Sequence, residues 1–171
     1  MSEKNYLNCC NHCNWCWWWW NCCPKPTPTD ACAPTANLLV NGDFEDETTA
    51  PWVFDNAVLD DSDKFSGDNI ALLNAREASI SQEVELPTGC PLQLSFAAKS
   101  SQGAQQVTKV IVTFSTGEIF EKEFTPSAND YTTFLYAIET PEDASSATVE
   151  FINKAQGVGN RLKIDLVVLK V

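Results

Sequence analysis

The sequence predicts an all-β fold, a two-sheet β-sandwich preceded by an extended N-terminal arm. Three observations carry this reading. Apolar residues alternate at Leu92/Leu94/Phe96, Val110/Val112/Phe114 and Leu162/Ile164/Leu166/Val168, the period of half-buried strands. Turn-forming residues punctuate the chain at Ser66-Gly67, Pro87-Thr-Gly89, Ser115-Thr-Gly117, Pro126, Pro141 and Gly157-Val-Gly159, while no segment shows a helical stripe. Composition also changes sharply near residue 36, which separates an arm (1–36) from a body (37–171).

Ten strands are predicted in the body, near Asn37–Asn41, Trp52–Leu59, Asn69–Leu73, Ser79–Leu86, Pro91–Ser100, Gln106–Thr116, Glu118–Phe124, Thr132–Thr140, Ala147–Asn153 and Arg161–Lys170. Thr116-Gly117, between two strand patterns, predicts a hairpin. Strands at this density over one body of this length indicate two packed sheets.

The arm has two parts. Cys9 to Cys23 is a Cys/Asn/Trp run holding Cys9, Cys10, Cys13, Cys16, Cys22 and Cys23 together with Trp15, Trp17, Trp18, Trp19 and Trp20. Pro24 to Ala36 follows, with prolines at 24, 26, 28 and 34 and a further cysteine, Cys32. Proline fixes φ and removes a donor, so this stretch reads as a polyproline-like strut.

The net charge of −12, all of it in the body, argues against a nucleic-acid surface. No apolar run is long enough to span a bilayer, and the opening residues lack the apolar stretch of a signal peptide. The only histidine, His12, lies in the arm, and no nucleophile and base stand at a recognisable spacing, so the chain reads as a non-enzyme. Acid pairs such as Asp60-Asp61 and Glu45-Asp46 have the chemistry of glycosidase carboxylates, but among many acidic residues chance proximity accounts for them.

Asn37-Leu-Leu-Val-Asn-Gly-Asp-Phe-Glu45 followed by Pro51-Trp52, then Phe65-Ser-Gly-Asp-Asn-Ile-Ala-Leu-Leu73, Ile80-Ser-Gln-Glu-Val84 and Leu162-Lys-Ile-Asp-Leu-Val-Val168, resembles galactose-binding-like domains of the carbohydrate-binding-module type. The resemblance implies that the sandwich is a jelly roll. It also implies a structural calcium ion between Glu45 and Asp165, with Asp43 near. Sugar contact by Trp52 is a further expectation, with Tyr131, Phe134 and Tyr136 as the other candidate rings, since such modules stack sugar rings on aromatics. Against this, the buried core is the ordinary place for a tryptophan in the opening motif.

Four chemistries are open to the cysteines. Cys10-x-x-Cys13-x-x-Cys16 with His12 has the spacing of zinc or iron–sulfur ligands. Redox or nucleophilic catalysis would need a fixed electropositive setting that the arm lacks. Intramolecular disulfides leave one of the seven arm cysteines over, for which Cys90 in the body is a partner; otherwise Cys90 is a buried thiol. Intermolecular cross-linking is the reading that accounts for prolines, tryptophans and thiols together. The arm would dock its tryptophans in another copy, and Cys9, Cys10, Cys13, Cys16, Cys22, Cys23, Cys32 and Cys90 are the cross-link candidates. This arrangement is similar to subunits of bacterial endospore appendages, in which a cysteine-bearing N-terminal connector joins jelly-roll domains along a fibre. The expectation is therefore a self-assembling subunit of a filament at a bacterial spore or cell surface, with other surface proteins or glycans as further partners. The alternatives are a carbohydrate-binding or adhesive module and a metal-binding arm.

Overall fold

A computed structural model describes residues 32, 33, 36–101, 107–156 and 159–171. All regular structure in them is β: β1 Val53–Asp55, β2 Ala57–Asp60, β3 Ile70–Leu73, β4 Ser79–Glu85, β5 Leu92–Ser100, β6 Thr108–Phe114, β7 Ile119–Phe124, β8 Thr132–Ile138, β9 Ser146–Asn153 and β10 Leu162–Lys170. Sheet 1 has the order β1-β4-β9-β6-β7 and sheet 2 the order β2-β3-β10-β5-β8, and every pairing is antiparallel. The chain weaves repeatedly between the two sheets, as a jelly roll does.

Alternation places the core. Ile80, Gln82 and Val84 on β4, Val110, Val112 and Phe114 on β6, and Ala147, Val149 and Phe151 on β9 point between the sheets. They meet Leu92, Leu94 and Phe96 on β5 and Leu162, Ile164 and Leu169 on β10. Phe96 is the hub, with ring centroids 4.8 Å from Phe151, 4.9 Å from Phe124 and 5.3 Å from Phe134. The predicted hairpin is present: β6 and β7 are joined through Ser115–Gly117, Gly117 takes a positive φ of 88°, and Phe114 N donates to Glu118 O.

Two predicted strands differ. Asn37–Asn41 is a series of turns: one backbone bond, from Leu38 N to Leu169 O, reaches β10, and side chains supply most of the other partners in place of a ladder. Gln82 closes a pair with Val40, its amide oxygen accepting from Val40 N at 2.8 Å and its Nε2 donating to Val40 O at 2.9 Å. Asn37 bridges to β10, donating to Val167 O and accepting from Leu169 N. Gly42 approaches Val167 so closely that a Cβ there would collide with its carbonyl oxygen. Trp52–Leu59 is likewise not one strand. Asn56, with φ 51°, turns the chain from β1 in sheet 1 to β2 in sheet 2.

Cys32 and Cys90 form a disulfide within the chain, their Cα atoms 5.3 Å apart. Of the cross-link candidates these two are thus engaged with each other and do not join subunits. The bond ties residue 32 to the turn before β5, where the Cys90 side chain is buried. Among the described residues no helix is long and apolar enough to cross a membrane.

Candidate functional site

The connection from β2 to β3, residues 61–69, folds over the outer face of sheet 2. Three carboxylates hold it there. Asp165, wholly buried, accepts from Phe65 N at 3.2 Å and Ser66 N at 3.0 Å through Oδ2, and from Leu166 N at 2.7 Å through Oδ1. It stands where β10 shifts register against β5, next to Leu166 with a φ of 46°, and this bulge turns the local backbone N–H toward the carboxylate. Glu45, delivered by the opening motif, accepts from Asp68 N at 2.8 Å and Asn69 N at 3.0 Å. Gly67 lies so close against this carboxylate that a Cβ would collide with Oε1, and it takes a φ of 59°. Asp63 receives Lys99 at 3.0 Å and Lys163 at 3.1 Å.

The electrostatics differ at each. Burial pushes the Asp165 carboxyl above its ordinary value, and the Glu45 charge adds to this, against the pull of the three amides. Amide hydrogen bonds from Asn69 and Asp68 hold Glu45 below the usual range. The Lys99 hydrogen bond is the largest influence lowering Asp63.

On this clamped loop sits Phe65, against Tyr131 from the segment before β8. Phe65 is 45% exposed, and its centroid lies 5.4 Å from that of Tyr131, at an interplanar angle of 48°. Tyr131 donates its phenol to Asp63 O at 2.8 Å, and Lys99 Nζ stands 5.9 Å from its ring centroid. Burial, followed by Asp165, Asp63 and Asp60, raises the Tyr131 pKa, so its hydroxyl stays protonated. The result is an aromatic ledge bordered by Asp63, Lys99 and Lys163, able to stack one apolar face and hydrogen-bond a polar rim.

The opposite outer face, on sheet 1, has a different character. Register aligns Val53, Ser81, Glu150, Ile111 and Glu121 in one row, and Asp55, Ser79, Ile152, Lys109 and Glu123 in the next. No aromatic ring occupies these rows. A surface hollow of about 440 Å³ at one end is lined by Arg76, Lys109 and Lys154, but these cations are paired with Glu77, Glu121 and Glu123.

Trp52, the expected sugar contact, is buried: it is 3% exposed, packs on Phe44 at 5.5 Å, and donates Nε1 to Val40 O and Asn41 O. Its ring stacks in the core and not against a ligand. Phe134 and Tyr136 are half-buried at the mouth between β7 and β8, apart from Tyr131. Sequence reasoning missed Phe65; the Ser66-Gly67 turn beside it was the available signal. Asp60, from one of the acid pairs, accepts from Ser62 N and Oγ, and Asp43 is exposed. Cys9, Cys10, His12, Cys13, Cys16, Cys22, Cys23 and Trp15, Trp17, Trp18, Trp19 and Trp20 lie outside the described residues, so the zinc, iron–sulfur and docking expectations fall there too.

Glu45 and Asp165, the expected calcium ligands, both accept from backbone N–H groups of the same loop. Each carboxylate retains lone pairs beyond those its amides occupy, and two like charges at one seam are chemistry suited to a hard cation. Among the described residues no group of three or more His, Cys, Asp or Glu is placed to hold a metal ion. Backbone carbonyls would complete the shell.

No family model matches the chain, nor does any curated protein sequence. Solved structures do. A family 61 carbohydrate-binding module, determined in complex with β-1,4-galactotriose, is similar at 21% identity and a TM-score of 0.61, the match covering 79% of this chain and 98% of that one. The C-terminal family 22 carbohydrate-binding module of Clostridium thermocellum Xyn10B is similar at 16% identity and a TM-score of 0.61, over 80% of this chain and 96% of that one. The enzymatically active domain of tailspike protein 4 from bacteriophage CBA120 is similar at 19% identity and a TM-score of 0.60, but only 21% of that chain is covered. At these identities the likeness establishes the fold alone: the described body is a jelly-roll β-sandwich.

Proposed function

We propose that this chain is a non-catalytic glycan-binding module acting at a bacterial surface, with Phe65 and Tyr131 as its stacking platform. The observation that carries the reading is this ring pair, an exposed Phe65 on a loop held by three carboxylates and a half-buried Tyr131 beside it, bordered by two lysines. A sugar ring laid on the pair would bury its apolar face, while Asp63, Lys99 and Lys163 offer groups to its hydroxyls. The fold shared with carbohydrate-binding modules supports the reading. Affinity electrophoresis through a panel of plant, fungal and bacterial polysaccharides tests it. At least one polysaccharide should retard the wild type, and Phe65→Ala should weaken that retention about tenfold or more, on the scale of a lost base- or sugar-type stacking contact of about 1–3 kcal/mol. Retention by none, or equal retention of the variant, overturns the assignment.

A second reading is a structural surface subunit linked by its N-terminal segment. The composition of residues 9–23 favours it: five tryptophans and six cysteines remain there after Cys32 and Cys90 have paired. Electron micrographs with and without reductant test it. Reductant-sensitive fibres that vanish when residues 1–31 are deleted support it, and discrete particles in every condition oppose it.

A further inference from the structure

Edge strands carry unpaired backbone N–H and C=O groups, and proteins protect them with charge, proline or a covering segment. The four edges here are β1 and β7 in sheet 1, and β2 and β8 in sheet 2. Three are protected by charge. β1 ends in Asp55 and β2 in Asp60, while β7 carries Glu121, Glu123 and the inward-phased Lys122. The fourth is bare. β8 reads Thr132-Thr-Phe-Leu-Tyr-Ala-Ile138, without charge, proline or glycine, in a chain of net charge −12. Its only strand neighbour among the described residues is β5. Leu135 stands outward at 61% exposure, and Phe134 and Tyr136 are half-buried at the mouth of the sandwich.

We infer that β8 pairs antiparallel with β8 of a second copy of this chain, joining two sheets 2 into one continuous ten-stranded sheet. Charge selects the occupant. Self-pairing through β1, β2 or β7 brings carboxylates of two strongly acidic bodies together, and β8 is the edge where that repulsion is least. Register supports the same occupant. A two-fold axis normal to the sheet keeps each side chain on its own face, so it must pass through a residue position, and an axis at Leu135 is the one that overlaps all seven residues. It sets Leu135 against the second copy's Leu135 on the outer face. On the inner face it sets Phe134 against the second copy's Tyr136, twice, an aromatic cross-strand pairing that stabilises sheets. Such an isologous contact closes at a dimer and does not propagate. Tyr131 immediately precedes β8, so the two ledges would lie on the same outer face, roughly 27 Å apart along the strand direction at about 3.4 Å per residue. That last consequence rests on the glycan reading; the dimer does not.

The test is sedimentation of the full chain across a concentration series, with and without reductant, for the wild type, Leu135→Lys, Leu135→Glu and an equimolar mixture of the two variants. The expected wild-type species has twice the 18.9 kDa chain mass and persists in reductant. Either single variant should raise the dissociation constant about 100-fold, since it places like charges face to face across the interface. Mixing them should restore the dimer, a result that misfolded variants cannot give. A wild type that is monomeric throughout overturns the inference. So does an oligomer that both variants leave intact, or one that reductant dissolves; those outcomes assign association to another surface or to the arm's thiols.

Discussion

Replacing Asp165 by alanine removes the acceptor for three backbone donors, Phe65 N, Ser66 N and Leu166 N. A hydrogen bond to a charged group contributes about 1.5–3 kcal/mol, and a buried donor left without a partner costs about 1–3 kcal/mol. The three do not add fully. Phe65 N and Ser66 N are reached by solvent in part, and the substitution also relieves a buried charge whose desolvation raises the carboxyl pKa. The net expectation is a loss of about 2–4 kcal/mol, which for a protein of this size lowers Tm by about 4–16 °C. Differential scanning calorimetry measures it. The sign of the charge effect can be separated with pH. Because the folded-state pKa of Asp165 is raised, its ionisation opposes folding at neutral pH, and that penalty is relieved as pH falls through the folded value toward the unfolded one. The deficit of Asp165→Ala should therefore grow as pH is lowered from neutrality toward the unfolded carboxyl value. The same variant should weaken polysaccharide retention, since the loop presents Phe65. A loss below about 0.5 kcal/mol, or a deficit that is larger at the higher pH, would refute the view that this carboxylate anchors the loop.

Other consequences are equally direct. We propose that Glu45 and Asp165 share a calcium ion: millimolar calcium should raise Tm relative to the same protein in EGTA, and Glu45→Gln should abolish that difference; equal melting in both solutions contradicts it. Trp52→Ala should cost about 3–5 kcal/mol in urea unfolding by emptying a core position, whereas a variant of native stability would return the ring to the surface. Cys32→Ser opens a disulfide spanning 58 residues, for which the chain-entropy ceiling is about 4 kcal/mol, and non-reducing peptide mapping of the wild type should recover the Cys32–Cys90 peptide from a monomer band. Asp63 has a lowered pKa, so its pairing with Lys99 and Lys163 is in place above the unfolded carboxyl value and lost as pH falls through the folded one; loop protease sensitivity should rise only below about pH 4.

The body was legible in the sequence where one rule governs. Period-two alternation on β4, β6 and β9 reflects a sheet face packed on a core, and these strands agree with expectation to within a few residues. On β10 the bulge at Asp165 to Val168 shifts the phase, so Val167 and Leu169 are buried after Leu162 and Ile164, and the expected Leu166 and Val168 are not. It was illegible where tertiary partners replace the ladder. Leu38–Val40 has strand composition, yet only Leu38 N reaches a strand backbone, at Leu169 O; its other hydrogen bonds go to the side chains of Gln82, Trp52 and Asn37, and no local pattern announces them. The break at Asn56 depends on a positive φ that most other residues would adopt less readily, so a single apolar run concealed two strands in different sheets. For the candidate site, the opening motif and last strand pointed to Glu45 and Asp165, and both bind the 61–69 loop, Asp165 at Phe65 and Ser66 and Glu45 at Asp68 and Asn69. Phe65 escaped notice because a ring beside Ser-Gly in a loop reads as a turn flank; only the carboxylate clamp makes it a platform. Trp52 misled for the converse reason, since a lone tryptophan carries no mark of which side it faces.

A sugar lying on the Phe65–Tyr131 ledge is the central claim. Amide chemical-shift mapping of the labelled protein, saturated with the polysaccharide that retards it, tests this most directly. The largest shifts are expected at Phe65, Ser66 and Tyr131, with Lys99 and Lys163 beside them. Shifts confined to Ile111, Glu150 and their neighbours on sheet 1 would contradict it.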